Sequence, residues 1–226
     1  MDRSITPSNT ELWLQTIAPG MLAKSYWPGT SRTSVASCPL GHYKLMELRP
    51  KHFHNFYTEL QKIISVLEEK SLKCETYFKL IIATGMRRGE CCGLQWGDIN
   101  WDERSIHIQR NVVKVTGEDI IVKERKTVAG DRYVYFSLEM ESLLREFQRE
   151  CAWEAETYDG RRLEDADYVF RRHGHRLPMT PSTFTWRFKL ILKKHGLPTA
   201  LNVHSLRHTN ASLLIAGGAD VATVAG

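Results

Sequence analysis

The 226 residues, 42% hydrophobic and 25% charged, have ordinary globular composition with room for one or two domains, which excludes a disordered or fibrous chain. Lys and Arg total 31 against 26 acidic residues, a net charge of +5 that leans mildly toward polyanionic partners. Five cysteines without a CxxC pair suggest neither a disulfide framework nor a zinc knuckle and fit a reducing cytoplasm; with no signal pattern and no run near the ~18 apolar residues of a bilayer span, no membrane partner is expected.

The N-terminal stretch is poorly patterned. Glu11 to Ile17 reads as a helical start, but Pro19-Gly20, Pro28-Gly29 and the Ser/Thr-rich stretch Thr30 to Ser37 interrupt it. From Arg49-Pro50 onward Phe53, Phe56, Tyr57 and Leu60, then Ile63, Ile64 and Leu67, recur at helical spacing. A second helix, from about Glu75 to Ala83, is apolar enough to be buried and ends at Thr84-Gly85. The period then changes. Ile106 and Ile108 alternate with polar residues, Ile120 and Val122 follow, and Arg132 to Phe136 is aromatic and β-branched. With turn signals at 117–119 and 129–131, these predict a small three-stranded antiparallel meander.

Ser137 fits an N-cap, with Glu139 and Glu141 in a first turn whose dipole favours acids, and its helix is predicted to run to about Glu156. Tyr168-Val169-Phe170 is a short extended piece. Thr180-Pro181 opens a helix, Ser182 to His195, that stops at Gly196. A last helix opens near Ser205 and closes at Gly217-Gly218. Helices around one small sheet make the fold class α+β.

Charge is unevenly spread. From Tyr168 to Ala219 there are eight Lys and Arg, no Asp or Glu, and five of the nine histidines. A solvated helix face accounts for a short basic run, whereas one crossing several elements points to a phosphate-binding surface.

Three segments carry candidate chemistry. In Thr84-Gly85-Met86-Arg87-Arg88-Gly89-Glu90 a helix end puts a guanidinium in a tight turn, with a carboxylate three residues on to orient it; a salt-bridged surface loop is the alternative. In His204-Ser205-Leu206-Arg207-His208, with Ser205 as N-cap, Arg207 falls in a first turn that favours an anion; Arg207 paired to an acid is the alternative. His204 and His208, four apart, raise a metal reading, but no third ligand is evident and no metal or cofactor is expected. In Lys123-Glu124-Arg125-Lys126-Thr127 a lysine at a hairpin tip can reach into a groove or donate a proton, or simply stay solvated.

TGMRRGE, then KT(x4)R, then HSLRHTNASLL, in that order, resembles the tyrosine recombinase (phage integrase) family from about Glu59 to Gly226. The resemblance implies a mostly helical catalytic domain over 59–226, acting on double-stranded DNA and assembling as a homo-oligomer on it. It implies that Arg87 and Arg207 clamp the non-bridging oxygens of the scissile phosphate, His204 assists proton transfer and Lys126 protonates the leaving 5′-oxygen. Arginine's planar, permanent charge suits the equatorial oxygens of a phosphoryl transition state, and lysine and histidine exchange protons.

The chain also departs from the family. The expected Gly-His segment and nucleophilic tyrosine after the HxxR helix are not found, since all eight tyrosines stand at or before Tyr168. Trp13-Leu14, Gly41 to Leu45, Leu48 and Phe56 to Leu60 look like the first half of a helical core-binding domain, with Trp27 to Pro39 in place of a continuous helix. The expectation is therefore a partial core-binding segment over 1–58 and an integrase copy deleted internally and cut short at its C-terminus, incapable of a tyrosyl link to DNA as written. A non-catalytic DNA-binding protein occupying a recombination site, and a partly folded remnant, are the competing readings.

Overall fold

The structure, a computed structural model, describes residues 50–114, 120–124 and 132–216. The expectations for 11–17, for the other N-terminal segments up to residue 49, for the turns at 117–119 and 129–131, for Lys126 and for the Gly217-Gly218 stop lie outside these residues.

The elements in chain order are α1 (Pro50–Glu68), α2 (Leu72–Thr84), α3 (Arg88–Cys92), a 3-10 turn (Trp96–Asp98), β1 (Ile99–Asn100), β2 (Ser105–Ile108), β3 (Arg110–Lys114), β4 (Ile120–Glu124), β5 (Arg132–Tyr135), α4 (Leu138–Asp159), α5 (Pro181–Lys194) and α6 (Val203–Ala216). Helices around small antiparallel sheets bear out the α+β expectation.

The second predicted helix is the centre of the molecule. In α2, Tyr77, Phe78, Leu80, Ile81 and Ile82 are wholly buried, covered by α1, α4 and α6, which is why the second half of its sequence is mostly apolar, with Lys79 held by Glu68 and Glu75. Tyr77 stacks face to face on Phe184 of α5 at 3.5 Å between ring centroids and meets Phe170 edge-on at 5.1 Å, so the aromatic core joins three distant parts of the chain. The helix ends as predicted. Gly85 adopts the left-handed conformation at φ 65° and its N–H reaches the Ile81 carbonyl at 2.9 Å, a geometry that favours glycine.

Ser137 caps α4, its hydroxyl accepting from the Met140 N–H, and the helix buries Met140, Leu144, Phe147, Cys151 and Ala155 before a left-handed Gly160 ends it three residues beyond Glu156. α5 begins with Pro181 behind Thr180 and is capped at His195. Val169 donates to Leu94 at 2.8 Å and Met179 to Phe170 at 2.7 Å, so the extended piece near Tyr168 ties the start of α5 to the loop after α3.

The predicted meander needs correction. The three-stranded sheet has the order β1-β2-β5, with Ile99 opposite Ile106 and Ile106 opposite Val134, while residues 120–124 pair instead with 110–114 as a separate two-stranded ribbon. The divergence has a local cause: Arg110 donates to Asp98 at 2.7 Å and also to Gln95, and Gln109 donates to Asp98 at 3.3 Å, which turns the chain out of the sheet after Ile108. Alternation identifies strands but not their partners.

Candidate active site

Three residues beyond the end of α2, Arg87 is the N-cap of α3 in an extended conformation, φ −71° and ψ 148°. Its N–H donates to Glu90 Oε2 at 2.9 Å and its guanidinium to Glu90 Oε1 at 2.8 Å. Glu90 is 1% exposed, and Arg132 of β5 completes its surroundings at 2.8 Å. A carboxylate this buried requires such cations. Burial and then the neighbouring Arg87 pull the Arg132 guanidinium down to about 10, so two cations crowd one carboxylate. The carboxylate three residues after Arg87 therefore does orient it, while the Arg87 side chain stays 48% exposed.

The last helix starts earlier than the sequence suggests. α6 opens at Val203, and Asn202 and Ser205 cap it reciprocally: the Ser205 N–H donates to Asn202 Oδ1 at 2.9 Å and the Asn202 N–H to Ser205 Oγ at 3.3 Å. The cap is thus Asn202, with Ser205 at the third helical position. Arg207 falls in the second turn, not the first, and reaches the cavity by its length. His204 and His208 meet edge to face at 4.4 Å. Burial first, then Arg207, Arg87 and Arg88, hold the His204 imidazole below its ordinary value; burial, His204 and Arg207 push His208 down to about 4. Both rings are therefore neutral at neutral pH.

Arg87, Arg207 and His204 line one cavity of about 570 Å³, together with Arg88, Asn111 and Lys114 and with Pro181, Ser182 and Thr185 from α5. The structure brings together three of the four residues singled out from sequence; the fourth, Lys126, lies outside the described residues. Arg88, although within the TGMRRGE segment, and Lys114 and Asn202 are not among the candidate residues read from sequence. The Asn202-x-x-Ser205 spacing is a cap signal that was readable, whereas Lys114 reaches the cavity only because β3 leaves the sheet. Among the described residues no group of three metal-ligating side chains stands together, and no helix is long and apolar enough to cross a membrane.

The chain is 27% identical over 191 residues to the ICEBs1 integrase of Bacillus subtilis (strain 168), covering 84% of this chain and 49% of that protein. It is 29% identical over 177 residues to a "Tyrosine recombinase XerC-like" protein of Caldanaerobacter subterraneus subsp. tengcongensis, covering 74% and 44%. The chain thus spans about half the length of these relatives. Among solved structures it is similar to the Tn1549 transposon integrase in complex with transposon right end DNA, at a TM-score of 0.60 and 22% identity over 79% of this chain and 56% of that one. It is also similar to XerA recombinase, at a TM-score of 0.55 and 22% identity over 74% and 51%. The model named "Phage integrase family" matches residues 57–226, well over half the chain, and with the same fold in the solved structures the chain belongs to the phage integrase family.

Proposed function

We propose that this protein takes part in site-specific DNA recombination of the tyrosine-recombinase type, and that its cavity grips a phosphate of double-stranded DNA. The observation that carries the reading is the convergence of Arg87, Arg207 and His204 on one cavity from helix ends far apart in sequence. Two guanidinium groups on one phosphate would meet its non-bridging oxygens, where charge accumulates as the phosphorus is attacked. His204, kept neutral by its cationic neighbours, can accept a proton or a hydrogen bond at the same phosphate. Lys126, two residues after the end of β4 in sequence, is proposed as the acid for the leaving 5′-oxygen. The relatives' names, integrase and tyrosine recombinase, and the DNA in the Tn1549 integrase structure support the same reading.

For the 226 residues themselves the proposal reaches as far as capture and polarisation of the phosphate. All eight tyrosines of this sequence stand at or before Tyr168, ahead of the basic helix, and none of them is proposed as the attacking hydroxyl. The division into a core-binding segment (1–58) and a catalytic domain (59–226) belongs to the same proposal, with Leu60, Ile63, Ile64 and Leu67 of α1 buried in the core of the latter. So do assembly as a homo-oligomer on DNA and a cytoplasmic location, which the free thiols Cys74, Cys91, Cys92 and Cys151 suit.

The test is a titration of fluorescent duplex DNA. Affinity should fall about tenfold or more between low and physiological salt, and Arg87→Ala or Arg207→Ala should weaken binding and reduce the salt slope by about 1. Binding indifferent to salt and to both substitutions would overturn the reading.

A further inference from the structure

We propose that Asn210 is a positioning residue of the phosphate clamp: its amide, donating to the carbonyls of Ile82 and Ala83, locks the helix that carries Arg207 to the helix end that launches Arg87. The proposal rests on the cavity being a phosphate site.

A helix leaves its last four carbonyls without intrahelical donors. In α2 the Ile81 carbonyl receives the Gly85 N–H at 2.9 Å, but the chain turns away after Gly85, and the carbonyls of Ile82 and Ala83 need a donor from elsewhere. Ile82 and Ala83 are 0% and 2% exposed, so bulk water does not supply it. Asn210 does, with Nδ2 3.2 Å from the Ile82 oxygen and 2.8 Å from the Ala83 oxygen. Both partners are acceptors, so the NH2 end of the amide must face α2. An amide shared by two carbonyls of one helix end fixes both the rotation of α6 and its height along α2, which apolar contact between the helices would leave free to slide.

The contact stands close to both arginines. Asn210 follows Arg207 by three residues on α6, and Ala83 precedes Arg87 by four. Glu90 sets the rotamer of Arg87 from within the same short segment, but it does nothing to set the distance from Arg87 to Arg207. The Asn210 amide is a direct hydrogen-bonded link between the two elements, 127 and 128 residues apart in sequence. A two-point grip on a phosphate tolerates displacement poorly, since a shift of ~1 Å already separates one guanidinium from its oxygen.

The experiment uses the full chain labelled with ¹⁵N-arginine, titrated with inorganic phosphate at low ionic strength while the Nε–H signals of Arg87 and Arg207 are followed. In the wild-type protein both should move together with one dissociation constant. In Asn210→Leu, with the same branched skeleton but no donors, they should move with two different constants, at least one weaker by about tenfold. Asn210→Ser, smaller and retaining one donor, should fall between; if the Leu variant does not fold, the Ser variant decides by the same criterion. A folded variant of lower stability in which both arginines still move together with the wild-type constant would show Asn210 to be merely structural and overturn the proposal. Wild-type arginines that ignore phosphate would overturn the phosphate reading itself, and this proposal with it.

Discussion

At the scale of single residues, the charges of the site are set by burial and by one another. His208, 8% exposed, gives a test that needs no ligand. Its imidazole takes a proton at about 4 in the folded chain against an ordinary 6.5, because burial, His204 and Arg207 all disfavour the imidazolium. Between those values the unfolded chain binds a proton that the folded chain refuses. Stability therefore falls as pH is lowered through this window, by up to about 1.4 kcal/mol per pH unit. Urea unfolding of wild type and His208→Gln at intervals across the window should show a shallower fall in the variant; parallel curves would mean that His208 does not sense its cationic neighbours. Of the candidate residues, Arg87, His204 and Arg207 were legible because TGMRRGE and HSLRHTNASLL stand in the order of the family they resemble; alone, an arginine after a helix-ending glycine reads equally as a salt-bridged surface loop. Arg88 was masked by its own neighbour, since two adjacent arginines do not say which one faces the cavity.

At the scale of elements, the close approach of α3 to β3 builds one wall of the cavity, and Gly89 permits it. A Cβ at Gly89 would stand 2.5 Å from the Val112 carbonyl oxygen and closer still to the Asn111 side chain. Backbone cannot yield as a flexible side chain can, so α3 and β3 would have to separate. Gly89→Ala is expected to lose about 1–3 kcal/mol of stability and, because Arg87 and Asn111 line the cavity from these two elements, to weaken duplex binding as well. Chemical denaturation and DNA titration of the same preparation check both halves; a variant as stable as wild type would mean that the two elements separate at little cost. Most helices were readable, from the apolar content of α2 to the Ser137 cap of α4, because helical signals are local; the five-residue α3 was not, since its sequence reads as a tight turn. Partners in the sheet were not. Residues 120–124 have the same alternating character wherever they pair, and the ties from Arg110 and Gln109 to Asp98 decide where β3 turns.

At the scale of the whole molecule, the acid-free window from Tyr168 to Ala219 overstates the basic surface. Arg171 is 2% exposed and donates to Asp159 at 2.6 Å, Arg176 pairs with Glu164 at 3.1 Å, and Lys189 donates to the carbonyls of Thr199 and Leu201. The acids that neutralise the two arginines lie just outside the window, so the run read as uniformly cationic is partly structural. Arg171→Ala should consequently cost about 2 kcal/mol or more by emptying a buried site and taking the close partner from half-buried Asp159, lowering Tm by several °C, while leaving the salt slope of DNA binding as in the wild type. A reduced slope would return Arg171 to the binding surface. What the sequence by itself determined is most of the helices, the Ser137 and Thr180-Pro181 starts, the Gly85 stop, the α+β class and the identity of the residues that carry charge, since each follows from patterns a few residues long. What only the tertiary structure decided is which charges serve the cavity and which serve the core, how the strands pair, and how far Arg87 stands from Arg207, because these depend on contacts between segments separated by tens to more than a hundred residues, such as the amide of Asn210 on the end of α2.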